Sequence, residues 1–179
     1  MRNVFLIGYM GVGKTTIGKL LSIELGLEFI DLDKYIEKRY RKSIPELFER
    51  KGEDGFRKIE CEMLREIATF QNVLISTGGG APCFFDNMDL MNKMGITVYV
   101  KATVEQLVSR LLASKNVRPL VQNKSPDELK EFVKQHLSQR QIYYSQAKIV
   151  YENEQLVSRE HVSETVEEIK EMLYAYTNN

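Results

Sequence analysis

Eight residues near the start of the chain, Gly8-Tyr9-Met10-Gly11-Val12-Gly13-Lys14-Thr15, set three glycines ahead of a lysine and a hydroxyl. Glycine lets backbone N–H groups turn toward a phosphate without side-chain obstruction. The lysine then puts a charge beside the β- and γ-oxygens, and the threonine hydroxyl can ligand Mg²⁺. A glycine-rich turn with a chance lysine would need no particular surroundings. Here the apolar run Val4–Ile7 precedes the loop and a helical pattern over Lys14–Leu25 follows it. Strand, loop and helix in that order are the context in which such a loop holds a nucleoside triphosphate. Gly11, Val12, Gly13, Lys14, Thr15 and Thr16 are therefore expected to bind Mg·ATP.

Open α/β sheets bind ligands at the carboxyl ends of their strands, so the residues after the other strands are candidates too. Phe29-Ile30 runs into Asp31-Leu32-Asp33, and in extended chain the two carboxylates project to the same side. One suits a metal-bound water; the other suits the proton of an acceptor hydroxyl, the role of a kinase aspartate. The alternative is that Asp33 caps a helix beginning at Lys34. A third strand ends in Ser76-Thr77-Gly78-Gly79-Gly80. Three successive glycines imply either a tight turn or a close approach of backbone donors to a ligand.

Two helical patterns carry charge where they should be apolar. Phe56, Ile59, Met63 and Ile67 form one stripe; Glu60 falls on it, with Arg57 three residues back. Leu129, Phe132, Val133 and Leu137 form another, which Arg140 continues. A charge facing a core is costly unless it is paired or lines a site. An Arg57–Glu60 ion pair with a snorkelling Arg140 is one reading. The other is that both arginines grip a planar anion by forked hydrogen bonds, which makes the second substrate a small anion bearing a hydroxyl. Arg118 lies in the unpatterned stretch Ser114–Lys124, either as an exposed loop residue or as a lid arginine over the transferred phosphoryl group. Cys61, Cys83, His136 and His161 form no cluster, and His136 is expected to flank the apolar face of its helix.

Short apolar runs at Val4–Ile7, Glu28–Ile30, Val73–Ile75, Ile96–Val100 and Ile149–Tyr151 predict five strands. Three-and-four spacing predicts helices over Lys14–Leu25, Asp54–Phe70, Val104–Ala113, Asp127–Tyr144 and about Val162–Tyr174. Thr103…Gln106 and Ser125-Pro126…Glu128 fit capping boxes, and Ser43-Ile44-Pro45-Glu46 opens a short helix ending near Gly52. Such alternation predicts a parallel sheet covered on both faces, joined by right-handed crossovers.

At 179 residues the chain suits one domain, residues 1–179. Lys+Arg and Asp+Glu balance at 25 each, which argues against a nucleic-acid or anionic-membrane surface. No stretch approaches the roughly 18 apolar residues of a membrane span. Two cysteines in no metal or disulfide spacing fit reduced thiols, so a cytoplasmic protein is expected.

These residues together resemble shikimate kinase, a family of small phosphate-loop enzymes. The likeness rests on the loop, on Phe-Ile-Asp-Leu-Asp, and on Ser-Ile-Pro-Glu-Leu-Phe with Gly52-Glu53. It continues through Gly55-Phe56-Arg57-Lys58-Ile59-Glu60, Thr77-Gly78-Gly79-Gly80 and Arg118-Pro119-Leu120 to Arg140 ahead of Tyr143-Tyr144. The resemblance implies a three-layer α/β/α fold of the nucleoside-monophosphate-kinase type, with a five-stranded parallel sheet in the order 2-3-1-4-5. It implies ATP-dependent transfer to the 3-hydroxyl of shikimate, by a monomer with a mobile lid about 114–124 and an acceptor-binding region about 33–61. Asp33 would take the proton, Arg57 and Arg140 the carboxylate, and Gly78, Gly79 and Gly80 the ring. Lys14 and Arg118 would stabilise the moving phosphoryl group. Thr15, with Asp31 through water, would hold Mg²⁺, and Arg110 would lie against adenine. The match departs in carrying Thr-Thr where Ser-Thr is common and in lacking a proline after Arg140, with Tyr143 or Tyr144 as the family tyrosine. Another small-molecule kinase of this fold, or a nucleotide-dependent switch without phosphoryl transfer, are the alternatives.

Overall fold

Five strands pair in parallel in the order β2-β3-β1-β4-β5: β1 Asn3–Ile7, β2 Glu28–Asp31, β3 Val73–Ser76, β4 Gly95–Lys101 and β5 Ile149–Glu152. The computed structural model describes residues 2–114, 124–152 and 159–178, so most of the expected lid, Arg118 with it, lies outside the described residues. Each strand sits within a residue or so of its predicted bounds at either end, and the sheet order is the one the resemblance implies.

Central strand β1 shows why the sheet needs two covers. Val4, Phe5, Leu6 and Ile7 are wholly buried, and alternate residues face opposite sides. Val4 and Leu6 join a core with helix α1 (Lys14–Leu25), helix α5 (Val104–Ala113) and helix α7 (Arg159–Asn178). Phe5 and Ile7 join a second core with α2 (Leu32–Tyr40), α3 (Ile44–Ala68) and α4 (Asn87–Met94). Helix α6 (Pro126–Tyr144) reaches both, through Leu129 and Val133 on one side and Tyr144 on the other.

Helix starts follow the local chemistry. Ser43, Thr103 and Ser125 each close a capping box on α3, α5 and α6. Helix α3 contains a break: Gly52 stands at φ 67°, ψ 178°, splitting it into the short helix opened at Ser43 and the long one that carries Arg57. Helix α2 begins at Leu32, and its cap is Asp31, whose carboxylate accepts from the Lys34 N–H. Asp33 is therefore neither the cap nor part of an extended strand; it lies in the first turn of α2. Helix α4 escaped prediction because it is eight residues long and its N-cap Asp86 makes no side-chain capping bond, so the chain carries no start signal there.

Candidate active site

The phosphate loop joins the carboxyl end of β1 to α1. Its backbone turns through φ 142° at Gly8, 83° at Gly11 and 100° at Gly13. At Gly8 a side chain is excluded outright, since a Cβ would sit 2.6 Å from the Val100 carbonyl. Gly13 is the N-cap of α1 and offers no side chain, and the first turn holds no acidic residue. Unlike α3, α5 and α6, this helix leaves its N-terminal N–H groups without a side-chain acceptor, which is the arrangement that receives an anion. Lys14 lies buried under the loop, its Nζ donating to the carbonyls of Gly8 at 2.8 Å and Tyr9 at 3.0 Å. Thr15 Oγ1 donates to Asp31 Oδ2 at 2.9 Å. A hydroxyl beside a carboxylate is a hard-oxygen pair that suits a magnesium ion completed by waters and phosphate oxygens. Among the described residues no three His, Cys, Asp or Glu side chains cluster to hold a metal by themselves.

A cavity of about 570 Å³ opens above the loop, lined by Gly11, Gly13, Lys14, Thr15, Thr16, Asp31 and Arg110 among others. Val12 differs from its neighbours, with its side chain packed wholly into the core beneath. Arg110 holds the back of the loop, its Nη1 donating to the Val12 carbonyl at 2.9 Å. Partial burial lowers its pKa from the usual guanidinium value.

A second cavity, about 380 Å³, lies between α3 and α6 and is lined by Ile44, Pro45, Phe48, Phe56, Arg57, Glu60, Gly80 and Arg140. The two cavities share Met10, Asp33, Gly78 and Gly79. Both arginines on the apolar stripes arrive here, Arg57 with 7% and Arg140 with 8% exposure. Arg57 donates to Glu60 at 2.6 Å and to Glu53 at 3.3 Å, and its guanidinium stands 4.3 Å from the Phe84 ring centroid. Its Nε is buried without a partner among the described residues. Arg57 is thus paired with Glu60 and at the same time lines the second cavity. Burial pushes the Glu60 carboxyl upward, against the pull of Arg57.

The glycine run owes its composition to these charges. None of its three glycines has a positive φ. A Cβ on Gly78 would meet Glu60 Oε1 at 2.9 Å and Asp33 Oδ1 at 3.0 Å; on Gly80 it would meet both Arg57 Nη atoms at 2.6 Å. Close approach, not turn conformation, is what requires glycine here.

Three contributors had no clear signal in the sequence. Met10 forms part of the wall between cavities, and Phe48 stacks on Phe56 with ring centroids 4.3 Å apart. Tyr9 is buried, and its hydroxyl lies 3.1 Å from Nδ1 of His136 on α6. Burial, and then the Arg140 charge, hold His136 down at about 4. Tyr144, not Tyr143, enters the site: its hydroxyl donates to the Gly79 carbonyl. Burial raises the Cys83 thiol to about 11, which keeps it protonated and unreactive.

Comparison with known proteins agrees with this geometry. A family model described as shikimate kinase matches residues 10–170. A shikimate kinase of Parabacteroides distasonis is 51% identical over 162 residues, 90% of this chain and 94% of that protein. One from Bacteroides fragilis is 47% identical over 173 residues, 97% of each chain. Among solved structures, the shikimate kinase of Bacteroides thetaiotaomicron has a TM-score of 0.93 at 46% identity, covering 97% of this chain and 98% of that one. A shikimate kinase from Acinetobacter baumannii, solved in complex with shikimate, gives 0.87 at 32% identity, with 98% and 94% covered.

A parallel sheet in this order, with a glycine loop leading into a helix that has no side-chain cap, gives the protein the P-loop NTPase fold. Within that class the chain belongs to the shikimate kinase family, whose reaction is the ATP-dependent phosphorylation of shikimate in aromatic amino acid biosynthesis.

Proposed function

We propose that the larger cavity takes Mg·ATP, the smaller takes shikimate, and transfer to the 3-hydroxyl occurs across the wall they share. That shared wall carries the reading, because a reacting hydroxyl and a γ-phosphate must meet within contact distance, and Asp33 borders both spaces. Arg57 and Arg140, which both line the smaller cavity, bind the carboxylate. Gly78, Gly79 and Gly80 lie along the ring. Asp33 accepts the proton as the hydroxyl oxygen bonds to the γ-phosphorus and the bond to the β-phosphate oxygen breaks, leaving shikimate 3-phosphate and ADP. Lys14 and the N-terminus of α1 stabilise the charge on the phosphoryl oxygens, a role shared by Arg118, which lies outside the described residues. Arg110 borders the adenine. Magnesium, held by Thr15 and through water by Asp31, would neutralise charge on the β- and γ-oxygens.

The chain acts as a single cytoplasmic domain over residues 1–179 and as a monomer, with the acceptor bound by a region about 33–61; most of the lid expected about 114–124 lies outside the described residues. Among the described residues no helix is long and apolar enough to cross a membrane. Coupled ADP release is the deciding assay, run with shikimate, gluconate, AMP or no acceptor. Turnover with shikimate alone is expected; turnover with AMP and none with shikimate overturns the reading. A concentration-dependent increase in mass by light scattering would overturn the monomer.

A further inference from the structure

Tyr144 closes helix α6 and is fully buried, its ring tilted against Tyr99 with centroids 5.0 Å apart. Phenylalanine would fill that space equally well, so the hydroxyl needs its own explanation. A buried hydroxyl without a partner costs about 1–3 kcal/mol, and this one has its partner in the site. It donates to the Gly79 carbonyl, and the Arg140 guanidinium, one helical turn back on the same face, is near enough to act on it electrostatically. Gly79 and Arg140 both border the acceptor cavity. They are also close to each other: a Cβ on Gly79 would lie 3.4 Å from Arg140 Nη1. The Tyr144 oxygen thus holds the glycine run beside the arginine from a fully buried position. Burial pushes the phenol well above its ordinary pKa, so it remains a proton donor at any working pH.

We infer that Tyr144 is a positioning residue for the acceptor: through its hydroxyl it sets the spacing between the Arg140 guanidinium and the backbone of Gly79, the two groups that grip opposite parts of the substrate. The inference rests on the proposed role of Arg140 in binding the acceptor carboxylate. It does not follow from packing alone, because Tyr99 is as deeply buried in the same core. The Tyr99 hydroxyl donates to Gln141 at 3.1 Å, and neither Tyr99 nor Gln141 lines the acceptor cavity.

Tyr144→Phe, Tyr99→Phe, Arg140→Ala and the double variant Arg140→Ala/Tyr144→Phe test it by steady-state kinetics and thermal melting. Tyr144→Phe should raise the shikimate KM by up to roughly tenfold, as loss of one buried hydrogen bond does. Its kcat and its KM for ATP should stay within about twofold. Tyr99→Phe should lower Tm by a similar few degrees and leave the shikimate KM unchanged. The double variant should match Arg140→Ala, since the tyrosine acts through the arginine. An unchanged shikimate KM in Tyr144→Phe, or an equal rise in Tyr99→Phe, overturns the inference while Arg140→Ala still raises that KM. If Arg140→Ala itself leaves the KM unchanged, the parent assignment of the acceptor site has failed instead.

Discussion

The phosphate side of the cleft is built around one continuous stretch, Gly8–Thr16, with Asp31 and Arg110 beside it, whereas the acceptor side draws Asp33, Arg57, the glycine run and Arg140 from four separate segments. The first binds with main chain. Its donors are N–H groups at a helix end, fixed in direction by the turns at Gly8, Gly11 and Gly13. The second binds with buried side-chain charge, and its Arg57 is held in turn by Glu60 and Glu53. Backbone donors carry no desolvated net charge, so beyond the two carbonyls that hold the buried Lys14 the phosphate loop needs few supports. Buried ions are costly unless fully paired, so the acceptor side requires a network around it. The contrast predicts that damage near the loop will appear in chemistry, and damage around the arginines in both acceptor binding and stability.

The sharpest way to break that division is Asp33→Asn. It should lower kcat by roughly 10²–10⁴-fold, the usual worth of a general base, with ATP affinity nearly intact; loss of ATP binding would show that Asp33 belongs to the donor side. Next comes Lys14→Met, which removes one charge-stabilising donor and should cost roughly 10²–10³-fold in kcat. Its Tm should barely move, and a large fall would mean that the lysine's bonds to Gly8 and Tyr9 are structural. Glu60→Ala should show the reverse pattern. It leaves Arg57 buried with only Glu53, a loss of about 3–5 kcal/mol, read as a Tm lower by about 10 °C. A Tm within a degree of the parent would deny that buried pairing supports the acceptor side.

The smallest effect lies at the seam between the halves. His136 is held near 4 in the folded protein, below its ordinary value of 6.5. The unfolded chain therefore binds the proton more readily, and stability falls as pH drops from about 6.5 toward 4. His136→Gln should flatten that part of the stability–pH curve, measured by denaturant unfolding at fixed ionic strength. An unaltered slope would assign it to other groups.

How far the cleft could be read in advance follows the same division. The phosphate loop is local, so its strand, spacing and helix were all visible together. Arg57, Glu60 and Arg140 were visible as charges on apolar stripes, because a helix keeps its period whatever it packs against. Asp33 was expected in the right place for a wrong reason. It faces the cavities from the first turn of α2, not from an extended strand shared with Asp31. What could not be read was contact between distant segments. Nothing in the local pattern distinguishes Tyr143 from Tyr144, or marks Met10 as a partition, since each depends on which atoms the fold brings alongside. The glycine run was legible as a demand for close approach, but not that side-chain charges make the demand.

The break at Gly52 has a consequence for how such a site changes over generations. Ile44, Pro45 and Phe48 stand before it; Phe56, Arg57 and Glu60 stand after it; together they form facing walls of the acceptor cavity. No atom lies within 4 Å of where a Gly52 Cβ would be, so torsion alone requires glycine there. The shape of the cavity accordingly depends on one backbone joint, and a change of torsion there would shift Phe48 against both Phe56 and the Arg57 guanidinium, so acceptor size and acceptor charge change together.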